Sequence, residues 1–219
     1  MPKPILYGVD TSGPTRFCLL TASAIGLEVE LRAVDFTKNQ HKTPEFRKIN
    51  PIQTTPVLED DGHYITDSHA ICTYLIQKYG SKKDQDLYPT DLVARTMVDQ
   101  KLFFDTGVLF VRLCKVLNLV FDPNGPSKIP ESVLDEIREN YGILEAFLSK
   151  TTFIAGNTFT LADICCMITV SSCAFVPIDT TKYIKLTEWF NKMKALPYYH
   201  INDKGAKQLI SNILPKLGN

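Results

Sequence analysis

Near Gly80 the apolar residues of this chain change their period. Before that point short β-rich runs alternate with helical ones, and after it only stretches with the 3.6-residue period of an amphipathic helix occur. One repeating architecture cannot carry both patterns, so two domains are expected, residues 1–80 and 92–219. The polar, turn-rich 81–91 (Ser-Lys-Lys-Asp-Gln-Asp-Leu-Tyr-Pro-Thr-Asp) reads as a linker between them. In the first part Pro4 to Gly8 reads as a strand. Pro14 to Ile25 reads as a helix with proline near its first position, where the missing N–H costs nothing, and Gly26 ends it. Glu28 to Asp35 alternates like a half-buried strand, and Thr43-Pro44-Glu45-Phe46 opens a short helix. Thr55 to Asp60 and His63 to Thr66 form a hairpin across Asp61-Gly62, and Asp67-Ser68 caps a helix from Ala70 to Tyr79.

Strand, helix, strand, then strand, strand, helix is the thioredoxin arrangement, so the expected fold class is α+β: a thioredoxin-like N-terminal domain and an all-α bundle. The bundle's helical stretches lie at about 90–120, 130–149, 160–174, 183–195 and 203–214, with Asp122-Pro123-Asn124-Gly125-Pro126 among the intervening turns. Thr160 and Asp163 read as a capping box, with Phe159 and Ile164 as its hydrophobic staple. Trp189 fits a late core helix.

Charge narrows the partners. Lys plus Arg and Asp plus Glu are 24 each, which leaves no global field to attract nucleic acid or an anionic membrane. No apolar run approaches the roughly 18 residues of a membrane span, and no leader-like segment opens the chain, so a cytoplasmic protein is expected. The six cysteines form no C-x-x-C pair and no metal-ligand spacing with the four histidines; reduced, buried thiols and no metal are expected.

Three segments carry chemistry. Ser12-Gly13-Pro14-Thr15 lies between the first strand and helix, where thioredoxin-type proteins carry Cys-x-x-Cys. With both sulfurs replaced by hydroxyls the site cannot cycle a disulfide, yet the helix N-terminus still favours an anion, for which a bound thiolate is the natural candidate. Ser12 donating to a thiol with a pKa near ~8.5 lowers it by roughly one to two units. Ser12 as a mere turn former or cap remains the alternative. In Asn50 to Leu58, Pro56 opens a strand at the fold position where a cis peptide exposes backbone groups, so that Thr55 can pair with a peptide ligand as an added strand; taken without that context the bond reads as trans. Asp67-Ser68-His69, at a strand-to-helix turn, offers N–H groups and a hydroxyl to a carboxylate and Asp67 to an ammonium, or else is simply an N-cap.

Ser12-x-Pro14-x-Arg16, His41-x-Thr43-Pro44-Glu45-Phe46, Asn50-Pro51, Pro56-Val57-Leu58, Asp67-Ser68-His69-Ala70-Ile71, Leu87-Tyr88-Pro89 and Phe104-Asp105-Thr106-Gly107-Val108-Leu109-Phe110, in this order over the whole chain, resemble insect glutathione transferases, the epsilon class first and delta next. The resemblance implies conjugation of glutathione to electrophiles through a serine-type site at Ser12, with peroxidase activity as a companion. It implies that His41 and Gln53 lie at or near the glycyl end of glutathione, that Thr55 with Pro56 pairs with the cysteinyl backbone, that Asp67 and Ser68 hold the γ-glutamyl end, and that Thr54 and His69 are further glutathione-binding residues. His69 and Phe104 resemble dimer-interface residues, and Asp105 a carboxylate supporting the γ-glutamyl site across that interface of a homodimer. Pro14, Phe36, Val108, Val111, Arg112, Lys115 and Leu209 would line the electrophile pocket, although Val108, Val111, Arg112 and Lys115 also read as a helical packing stripe and Arg112 as a surface ion pair. Three positions depart from the pattern: Gln53 replaces the usual His, Thr55 the usual Val, and Gly13 a more frequent Pro or Ala. Gln53 cannot become cationic, which weakens its hold on a carboxylate. A non-catalytic carrier of apolar molecules is the competing function. A glutaredoxin-type oxidoreductase would need a cysteine at or beside position 12, and none is there.

Overall fold

The computed structural model describes residues 3–217. Its sheet runs β2-β1-β3-β4, built from β1 (Ile5–Gly8), β2 (Glu30–Ala33), β3 (Val57–Asp60) and β4 (His63–Thr66). β1 pairs parallel with β2 and antiparallel with β3, with Tyr7 opposite both Arg32 and Val57, and β3 turns back into β4. Helices α1 (Gly13–Ala24), α2 (Pro44–Ile49) and α3 (Ser68–Tyr79) complete this half. Leu6 and Leu58 of the sheet, Phe17 and Leu20 of α1, and Ile71, Leu75 and Ile76 of α3 are buried in one core. This is the thioredoxin-like arrangement expected from the alternating pattern. The strand read at Glu28 to Asp35 shrinks to four residues and is not half-buried: β2 is an edge strand, and Leu31 is 39% exposed.

Gly8 shows how closely β1 meets α1, because a Cβ there would fall 2.5 Å from Thr15 Oγ1. Only glycine lets the strand end directly beneath the first turn of the helix.

The second half is helical: α4 (Leu92–Phe104), α5 (Phe110–Phe121), α6 (Glu131–Leu148), α7 (Leu161–Ser172), α8 (Ile184–Lys194) and α9 (His200–Ile213). Every residue of α7 is buried, as expected of a helix apolar all round, and α1, α4, α8 and α9 pack on it. The Asp163 carboxylate accepts from the Thr160 N–H of the capping box at 2.9 Å and also from Ile154 N–H and Trp189 Nε1, tying the α7 start to its preceding loop and to α8. The stretch at 90–120 is not one helix: a π-helical turn at Asp105–Leu109 separates α4 from α5. Neither proline nor a side-chain cap marks this turn, so local sequence signals do not reveal it. α9 begins at His200, three residues before the stretch read in the sequence.

Candidate functional site

Three backbone features converge from the sheet half. Ser12 is the N-cap of α1, in extended conformation, with Pro14 in the first turn and no acidic residue there to neutralise the helix dipole. Its Oγ lies 3.5 Å from Thr15 N–H, the outer limit of a hydrogen bond, so the cap is loose and the hydroxyl hydrogen is not used by it. The Thr55–Pro56 bond is cis, and the Thr55 N–H and C=O make no hydrogen bond to protein groups among the described residues. The loop bearing it is braced by Asn50, which is fully buried, donates to Thr54 C=O at 2.8 Å and accepts from Ile52 N–H. Asn50 is a supporting residue that the sequence motif contained without a role.

Asp67 is the third feature. It adopts φ 69°, ψ 120°, outside the left-handed helical region that a non-glycine residue tolerates, at a cost of about 1–3 kcal/mol. Its carboxylate caps α3, accepting from His69 N–H at 2.8 Å and Ala70 N–H at 3.2 Å. Ser68 is buried, and its hydroxyl has no hydrogen-bond partner among the described residues.

Behind Asp67 runs a chain of polar groups. His69 Nδ1 is 3.3 Å from Asp67 Oδ1, close enough to pair as ions but not aligned for a hydrogen bond, and Nε2 is 3.4 Å from Asp105 Oδ2. Thr169 Oγ1 donates to Asp105 Oδ1 at 2.6 Å, and Cys165 Sγ lies 3.2 Å from His69 Nε2. Burial disfavours a charged imidazole, but the carboxylates of Asp105 and Asp67 outweigh it and raise His69 to about 9. His69 in turn holds Asp67 below the usual carboxylate range. One ligand atom from each of His69, Asp105 and Cys165 lies within 4.8 Å of the others, a spacing that also suits a metal. A metal needs a neutral imidazole and a thiolate. Here the imidazolium is matched by two carboxylates, and burial pushes the Cys165 thiol well up, so the cluster fits a proton better than a metal.

At the other end, the Phe36 and His41 rings stack at 4.5 Å, and His41 Nδ1 is buried without a partner. Gln53 has φ 61°, with its Oε1 3.5 Å from Arg47 Nη2. Two clefts of about 290 Å³, one beside Lys150 and Trp189 and one beside Tyr141 and Phe190, touch none of these residues.

Residues 5–77 match the family model for the glutathione S-transferase N-terminal domain, and residues 108–197 match the model for its C-terminal domain. The chain belongs to the glutathione S-transferase family. It is 38% identical over 212 residues to glutathione S-transferase 1 of Manduca sexta, covering 95% of this chain and 96% of that one. An epsilon-class glutathione S-transferase from the housefly, Musca domestica, superposes with a TM-score of 0.93 at 42% identity, over 98% of both chains. A glutathione transferase homolog from Drosophila mojavensis, solved with bound glutathione, gives 0.92 at 41% identity, over 99% of this chain and 98% of that one.

The other candidate residues of this transferase lie on α4, the π-helical turn, α5 and α9 and in the loop after β2. Asp105 is 4% exposed and is met by His69 and Thr169 of its own chain. Arg112 and Lys115 turn their heads to α6. Arg112 donates to Glu136 C=O and Asn140 Oδ1 and pairs with Glu139, and Lys115 pairs with Glu136 at 2.6 Å. Phe36 stacks on His41 and is 42% exposed, whereas Leu209 is buried on α9, which packs on α1, α5 and α7. Val108 is half-buried in the π-helical turn and Val111 is 44% exposed at the start of α5. Phe104 meets Phe147 edge to face at 5.2 Å.

Proposed function

We propose that this enzyme binds reduced glutathione along the rim of its thioredoxin-like half and attacks electrophiles with a thiolate stabilised by Ser12. The γ-glutamyl end sits against Asp67 and Ser68, the cysteinyl backbone pairs with the free N–H and C=O of Thr55 beside Pro56, and the glycyl end lies near His41, Gln53 and Thr54. The observation that carries this reading is the Ser12 hydroxyl at the uncompensated N-terminus of α1, its hydrogen unused by its own cap. Helix dipole and hydroxyl act on the same anion, and one hydrogen bond to a charged acceptor is worth about 1.5–3 kcal/mol. The electrophile meets the sulfur at Pro14, Val108, Val111 and Leu209. Residues 1–80 thus bind the cosubstrate, 92–219 the electrophile, and 81–91 join them. An organic hydroperoxide is a second substrate for the same thiolate. We further propose a cytoplasmic homodimer, with His69 and Phe104 near an interface that covers the exposed Phe103 and Met97 of α4. No helix among the described residues is long and apolar enough to cross a membrane.

Ser12→Ala tests the proposal. Conjugation to an aromatic halide at saturating glutathione should fall roughly ten- to a hundred-fold, with glutathione affinity little changed. The pH-rate profile should move to higher pH. An unchanged profile would remove Ser12 from the chemistry.

A further inference from the structure

Arg16 is fully buried one helical turn after Ser12, and its guanidinium touches only neutral groups. Nη1 donates to the Asn202 C=O at 3.2 Å and to Asn202 Oδ1 at 2.6 Å, Nη2 donates to Ser172 Oγ at 2.8 Å, and Nε has no partner. No carboxylate stands within ion-pair distance of it among the described residues. Asp10 is the nearest acid to act on it and lies 3.7 Å from Lys204, and Tyr199 is the other titratable neighbour. An isolated buried charge is costly, so folds normally pair it or avoid it. Here it is retained and deliberately enclosed: α9 comes so close at Gly205 that a Cβ there would collide with the Asp10 carbonyl and stand 2.9 Å from Arg16 Cδ.

The direction of the side chain gives the charge a target. Helical side chains lean toward the N-terminus, and a Cβ built on Gly13 would lie 3.8 Å from Arg16 Nη2. The cation therefore sits beside the residue that follows Ser12, behind the same helix end that faces the proposed sulfur.

We propose that Arg16 is a positioning residue for the conjugation reaction, a buried, unneutralised cation that stabilises the glutathione thiolate at Ser12 through space without touching it. The inference rests on the serine-thiolate reading above. Arg16 adds a full charge where the helix dipole supplies about half of one. Taking a separation of roughly 8 Å and an effective dielectric of about 20, that charge is worth about 2 kcal/mol, or about one and a half pKa units on the thiol. The neutral partners Asn202 and Ser172 are what make it effective, since a carboxylate in their place would cancel its field. Burial lowers the Arg16 pKa to about 10, which still leaves it cationic at neutral pH.

The test is the ultraviolet titration of the thiolate of glutathione bound at saturation to the wild-type protein, to Asn202→Asp and to Asn202→Ser. Asn202→Asp is nearly isosteric and sets a carboxylate against the guanidinium; the bound thiol should titrate about half to one unit higher. Asn202→Ser disturbs the same contact without adding charge and should titrate with the wild type. Arg16→Met, measured at low temperature to hold the fold, should shift in the same direction as Asn202→Asp. No shift in Asn202→Asp, or equal shifts in the Asp and Ser variants, would overturn the inference while leaving Ser12 in place. A wild-type bound thiol with the pKa of free glutathione would overturn the serine-thiolate reading, and this inference with it.

Discussion

Gln53 is the residue at which this transferase departs most from the pattern it resembles. Its amide oxygen faces Arg47, and it can hold a glycyl carboxylate only as a neutral donor. Gln53→His should lower the KM for glutathione several-fold, more at pH 6 than at pH 8, because hydrogen bonds to charged groups exceed neutral ones by about 1 kcal/mol and histidine is mostly neutral at the higher pH. Steady-state kinetics at the two values check this. His69 gives a second residue-scale prediction. Its folded pKa is raised to about 9, so its pairing with Asp105 and Asp67 contributes fully below the unfolded value near 6.5 and is lost as pH rises through about 9. Urea unfolding should show stability declining across that window, and His69→Gln should flatten the decline. Neither the Asp105–His69–Asp67 chain nor the burial of Arg16 among neutral partners was legible in the sequence. Each joins residues far apart in the chain, and a buried His or Arg looks the same in a sequence as a solvated one.

Among the elements, local punctuation fixes several boundaries closely, although α8 also begins within a residue of its expected start with no side-chain cap. Proline at the start of α1, Asp-Gly between β3 and β4, and the capping box before α7 each mark a boundary by local chemistry. The break between α4 and α5 has no such mark. A π-helical turn inserts its extra backbone without proline or a cap to announce it. The contacts of Arg112 and Lys115 with α6 were legible only as an alternative, since a helical stripe does not name the element it packs on. The capping box also makes a quantitative prediction. Asp163 is fully buried and serves the N–H groups of Ile154, Thr160 and Trp189, so Asp163→Ala leaves several buried donors unpaired. Equilibrium unfolding should register a loss of about 3 kcal/mol or more.

At the scale of the whole molecule, the sheet half supplies the backbone groups suited to a peptide-like cosubstrate, and the helical half fixes their surroundings: α7 through Thr169 and Asp105, α9 through Asn202 and Arg16. The two halves therefore meet behind the site rather than merely beside it. The order of motifs made the family legible across the entire length, whereas the electrophile pocket was not, because its walls come from long helices whose packing no local pattern encodes. The central claim is that glutathione lies along Asp67, Thr55 and Ser12 with its sulfur at the end of α1. The crystal structure of the protein grown with reduced glutathione measures this directly. The expected result is a sulfur within about 3.0–3.5 Å of Ser12 Oγ, the cysteinyl backbone paired with Thr55, and the γ-glutamyl group on Asp67 and Ser68. A sulfur out of reach of Ser12, with the tripeptide bound elsewhere or in the reverse direction, would contradict it.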